Sequence, residues 1–130
     1  MPALPWTKGP FQPAADAELH VLTSRLPLRR YTDVPRFLMW TMRIRKQLRT
    51  APGCAGYALD AKLLKKTFWT LSAWSDKAAM DKFVREGSHA AMLVAMQGRV
   101  GDPKFIETPA GAGDLPLAWS AARERIASLG

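Results

Sequence analysis

Residues Thr67-Phe-Trp-Thr-Leu-Ser-Ala-Trp-Ser-Asp-Lys-Ala-Ala-Met-Asp-Lys-Phe-Val-Arg-Glu-Gly-Ser-His89 decide the fold. Aromatic and β-branched residues alternate from Thr67 to Ser75, which predicts a central strand. Phe68, Thr70, Ser72 and Trp74 then face one side, and Trp69, Leu71 and Ala73 the other. From Ser75-Asp76 the period changes. Either residue suits a helix cap, and Ala79, Met80, Phe83 and Val84 form an apolar helical face. Gly87 breaks that helix, and Ser88 starts a further helical piece to about Gln97. It carries His89, one of two histidines in the chain. His89, Met92, Leu93 and Met96 share one face, so the imidazole is expected to point inward.

Upstream, Cys54 to Leu64 reads as a second strand, containing Gly56 and followed by a turn at Lys65-Lys66. Ala51-Pro-Gly53 ends a helix that runs from Asp33 to about Thr50. Asp33 suits its N-cap and Pro35 its first turn. Val34, Phe37, Leu38, Thr41 and Leu48 form its apolar stripe. Glu18 to Leu26 alternates Leu19, Val21 and Thr23 as a first strand, closed by Pro27. Residues 1–17, with prolines at 2, 5, 10 and 13, read as an extended leader lying on the surface or on a partner chain.

Downstream, Lys104 to Thr108 is a short fourth strand and Gly111-Ala-Gly113 a linker. A last helix is expected from Asp114. Its Leu115, Trp119, Ala122, Ile126 and Leu129 make a seam for the body or for another subunit.

The order is β-α-β-β-α-β plus a C-terminal helix, an α+β, ferredoxin-like arrangement. It divides into a leader (1–17), the α+β domain (18–109), and a linker with C-terminal helix (110–130). The helices of such a unit cover one sheet face. The other face is apolar on either assignment of the third strand and needs burial, so a homodimer through the sheet faces is expected.

Composition narrows the function classes. At 48% apolar and 23% charged the chain reads as globular, and no apolar run reaches membrane-helix length. The opening residues lack the apolar core of a secretory signal, so a cytoplasmic location is expected. One cysteine, Cys54, excludes an intrachain disulfide and a cysteine-cluster metal site. No metal site is expected from the spacing of acidic residues. The formal charge of +8 is spread thinly and carries no nucleic-acid-binding signature, so a nucleic-acid partner is not expected.

Leu71-Ser72-Ala73-Trp74, the Ala79-Met80 pair, Phe83 and the downstream His89 resemble the dimeric α+β barrel superfamily. The resemblance is to antibiotic biosynthesis monooxygenases and, more closely, to the spheroidene monooxygenase-like group. In layout it covers residues 18–109; in motif, residues 67–93. It implies a ligand held between sheet and helices and a choice of chemistries, among them cofactor-free quinone-forming oxygenation and haem binding.

On that resemblance His89 is the candidate proton carrier, or the axial ligand if haem is bound. Arg43 is the candidate group for stabilising negative charge. Trp40, Phe68, Trp74 and Met92 are candidates for lining a site for a hydrophobic, planar small molecule. Each has a plainer reading as well: core packing for the apolar residues, a backbone-bonded histidine for His89, a solvated face for Arg43. Two functions follow, a monooxygenase-like enzyme and a non-catalytic homodimeric small-molecule-binding module. A third is a structural partner protein using the C-terminal seam.

Overall fold

The computed structural model describes residues 5–129, so Pro2 of the leader lies outside the described residues. Among the described residues five antiparallel strands form one sheet: β1 (Thr7–Lys8), β2 (Glu18–Pro27), β3 (Cys54–Lys62), β4 (Thr67–Trp74) and β5 (Lys104–Gly111). Their order is β1-β3-β4-β2-β5, which places the decisive strand β4 at the centre. The aromatic alternation is suited to this position, because a central strand buries both faces.

Four α-helices are present among the described residues: α1 (Val34–Leu48), α2 (Lys77–Arg85), α3 (Gly87–Ala95) and α4 (Trp119–Ala127). The α+β, ferredoxin-like order expected from sequence is the one observed. Register fixes two sheet faces. His20 lies opposite Trp74, Leu22 opposite Ser72, Ser24 opposite Thr70 and Leu26 opposite Phe68. This face is roofed by α1, α2 and α3, through Phe37, Leu48, Met80, Phe83, Met92 and Met96.

The second face carries Leu19, Val21, Leu71 and Ala73. It is covered by the chain itself. Ala122 of α4 is fully buried against it, and Leu115, Leu117 and Trp119 pack beside it. From the other end of the chain Trp6 and Phe11 join the same cluster. The expectation that helices cover one face alone therefore needs correction: α4 is laid across the other. The leader also contributes a strand, with Thr7 paired to Tyr57 and Lys8 to Gly56.

Several ends differ from the sequence reading. Asp33 does not cap α1 with its side chain. Its buried carboxylate instead accepts from Arg99 Nη1 at 2.9 Å, an ion pair that sequence spacing of 66 cannot reveal. The fourth strand runs on to Gly111 through Pro109, which is tolerated because β5 is an edge strand. α4 begins at Trp119 rather than Asp114, since Pro116 interrupts the helical path. Asp76 takes the cap of α2, its Oδ1 accepting from the Ala79 N–H at 2.8 Å.

Candidate functional site

Strand β4 aims Phe68, Thr70, Ser72 and Trp74 at the helical roof, as its alternation requires. The roof then distributes the candidate residues into two packed groups. Phe68 and Met92 join Phe37, with Trp40 packed against them, and the Phe37 and Phe68 rings meet edge-on at 4.5 Å. Trp74, Phe83 and His89 form a row of rings, with centroids 5.0 Å and then 5.3 Å apart. Arg43 is exposed on α1 and sits over Trp40, 5.2 Å from the ring centroid.

These contacts leave little room. Phe68, Trp74 and Met92 are 2%, 1% and 5% exposed, so no ligand reaches their faces without displacing a neighbour. The same packing does not fit haem: Trp74 and Phe83 fill the space against the His89 ring that the macrocycle would need.

His89 is held by its backbone and its ring. Its N–H donates to Gln47 Oε1 at 2.8 Å, and its Nδ1–H donates to the Val84 carbonyl at 3.1 Å. That second bond sets the tautomer, leaving Nε2 as the lone-pair nitrogen. Burial lowers the imidazole pKa from its ordinary 6.5, a shift partly opposed by the Val84 bond. Gln47 was not legible as important, yet it ties α1 to the α2–α3 joint. Its Nε2 donates to the carbonyls of Phe83 and Glu86 at 3.3 and 3.0 Å. Gly87 permits this approach: its φ is +57°, and a Cβ there would lie 3.0 Å from Gln47 Nε2.

Polar groups do face the roof. Ser24 and Thr70 share a hydroxyl–hydroxyl bond, and Trp74 Nε1 donates to Ser72 Oγ at 2.9 Å. The Tyr57 hydroxyl is buried with no hydrogen-bond partner among the described residues.

A second constellation lies where β2, β5 and the start of α2 converge. His20 Nε2 donates to Glu107 Oε1 at 2.5 Å, and Lys77 Nζ donates to the same oxygen at 3.4 Å. Lys77 also reaches Asp81 at 3.3 Å. The bond from His20 is the first cause holding the Glu107 carboxyl below its ordinary range, with Lys77 adding to it. Lys77 is raised by Asp81 and Glu107 in turn. His20, Lys77 and Glu107 line an open cleft of about 290 Å³ with Ser75, Asp76 and Thr108. The sequence alone gives His20 no role, because its partner lies 87 residues away on a strand that pairs with its own. Two alternating strands that present a histidine and a glutamate to the same face were the available signal.

The folded chain is similar to several solved structures. A candidate antibiotic biosynthesis monooxygenase from Deinococcus radiodurans superposes with a TM-score of 0.62 at 18% identity, over 71% of this chain and 92% of that one. The fold is that of the antibiotic biosynthesis monooxygenase-like proteins. A candidate monooxygenase from Lactobacillus acidophilus gives 0.61 at 13% identity over 85% of this chain. This chain spans about half of that protein, 52% of its length. NE2512, a protein of unknown function from Nitrosomonas europaea, gives 0.64 at 16% identity, over 81% of this chain and all of the other. No protein-family model and no curated protein matches the chain. No helix among the described residues is long and apolar enough to cross a membrane.

Proposed function

We propose that the protein is a monooxygenase-like enzyme acting on a compact, planar, hydrophobic phenol, with His20 as its proton-handling group. The observation that carries this reading is the His20–Glu107 bond at the mouth of the cleft, with Lys77 on the same carboxylate oxygen. With Nε2–H committed to Glu107, His20 Nδ1 is free to take a phenolic proton, and Glu107 stabilises the imidazolium that results. Lys77 supplies positive charge for the phenolate.

Such an anion reacts with dioxygen without a cofactor when its keto form has a ring methylene. One oxygen atom replaces the two methylene hydrogens as a carbonyl, and the other leaves as water carrying those hydrogens. The substrate supplies the electrons. His89, bonded through Nδ1 to Val84, then serves the α2–α3 joint rather than the proton.

The test is oxygen uptake with a panel of fused-ring phenols. The native chain, and His89→Ala if it folds, should consume oxygen; His20→Ala and Glu107→Gln should lose at least tenfold. Full activity in His20→Ala would sink the assignment.

The packed roof favours a second reading, a non-catalytic module that holds the same small molecule in the cleft. Quenching of tryptophan fluorescence by a fused-ring phenol, with no oxygen uptake, would select it over the enzyme.

A further inference from the structure

The second sheet face, beneath α4, is polar at one end in a way the apolar seam does not explain. Register sets Asp60, Trp69, Arg25 and Lys104 in one row across β3, β4, β2 and β5. Thr23 lies two residues from Arg25 on the same face and is 0% exposed. Across β2 and β5, Arg25 and Lys104 are direct partners, and like charges so placed repel.

The Asp60 end of the row is balanced in charge, although Asp60 Oδ1 is buried without a hydrogen-bond partner among the described residues. Its carboxylate pairs with Arg123 of α4 and with Lys62 at 3.3 Å. Arg123 also lies over the Trp69 and Trp119 rings, 5.1 and 5.0 Å from their centroids. The other end is not balanced. Among the described residues neither Arg25 nor Arg125 pairs with a carboxylate, and Lys104 has only the largely exposed Asp102, at 3.1 Å. Thr23 Oγ1, Arg25 Nε and Arg125 Nε are all sealed from solvent with no hydrogen-bond partner among the described residues. Arg125 belongs to the helix packed over β2 and β5. Two guanidinium Nε–H groups and a hydroxyl, buried and without acceptors, are short of acceptor atoms, while the half-buried arginine side chains add uncompensated positive charge.

We propose that this end of the face binds a small oxyanion, of the carboxylate or phosphate class, between Arg25, Lys104 and Thr23, with Arg125 closing over it. Two or more oxygens on one anion would satisfy both Nε–H donors and the Thr23 hydroxyl, and would separate the opposed cations of β2 and β5. Guanidinium forks suit this geometry better than lysine does. The site lies on the opposite sheet face from His20, so it stands or falls independently of the proposed reaction.

The test uses the full chain, titrated with inorganic phosphate and separately with acetate, sodium chloride holding the ionic strength constant. Whichever anion fits should raise the melting midpoint by about 4 °C at tenfold excess over its Kd. It should also shift the Nε–Hε NMR signals of Arg25 and Arg125. Arg25→Gln should weaken binding at least tenfold and Thr23→Val about threefold, while His20→Ala leaves it unchanged. Should Arg25→Gln fold poorly, Thr23→Val and the arginine signals of the native chain still decide. Equal stabilisation by chloride, or arginine signals unmoved by both anions, would overturn the site.

Discussion

Asp60 on the central sheet and Arg123 on the last helix, 63 residues apart, form an ion pair whose carboxylate is wholly withdrawn from solvent. The helix is thereby fixed in rotation on the face it covers, and its guanidinium sits against the rings of Trp69 and Trp119.

The pair is asymmetric, which gives a stability prediction. Arg123 is partly exposed and can turn to water, whereas Asp60 cannot. Arg123→Ala strands a buried carboxylate with Lys62 alone and should cost about 3 kcal/mol. Asp60→Asn keeps the shape and removes the charge, for about 1 kcal/mol. Urea unfolding followed by tryptophan fluorescence measures both. Equal losses would mean that α4 is not seated as described.

A pH dependence follows from His89. Its folded pKa lies below the unfolded value, so the unfolded chain binds the extra proton first as pH falls. Its contribution is therefore intact above about pH 6.5 and is lost as pH drops through the depressed folded value. His89→Gln should flatten the stability profile below pH 6.5 without changing its shape above neutrality. A profile unchanged by the substitution would show that the ring is not buried. Glu107 acts with the same sign in more acidic solution, its carboxyl being held low by His20 and Lys77.

Cys54 is fully buried at the start of β3, under the leader, where Phe11 N–H donates to its carbonyl at 2.9 Å. Burial pushes the thiol up to about 12, with the Gly56 carbonyl contact the second influence. Alkylation at pH 8 should proceed only through opening of the structure, because the native thiol is neither ionised nor reachable. Mass spectrometry after timed iodoacetamide exposure, with and without urea, checks this. Rapid labelling of the native chain would show that the leader does not cover β3.

The strand–helix core was legible because its signals are local. Thr67–Trp74 alternates, Asp76 caps, and Gly87 breaks the path between α2 and α3. What escaped reading is held by distant partners. The two-residue strand Thr7–Lys8 has no periodicity of its own and exists because β3 offers an edge. His20 gains meaning only beside Glu107, and Asp33 only beside Arg99. Phe68 and Trp74 were legible as sharing one side of the sheet, but alternation says neither which side the helices cover nor whether the roof leaves a gap. Here Phe83 and Met92 fill it.

The expected homodimer through sheet faces meets a physical obstacle in α4. Leu19, Val21, Leu71 and Ala73 are the residues a second copy would cover, and Ala122 with the leader's Trp6 and Phe11 already packs there. With α4 seated, light scattering at micromolar concentration should give the mass of one chain, 14.4 kDa. A chain ending before Leu115 loses that cover and exposes a contiguous apolar face, which drives association. It should run at about twice its own mass, in a self-complementary pair. If the full chain is already dimeric, the contact must use another surface. The exposed Leu93 and Val94 of α3 are the first to substitute, each by a charged residue, and only a mass that then falls to one chain would locate the interface there.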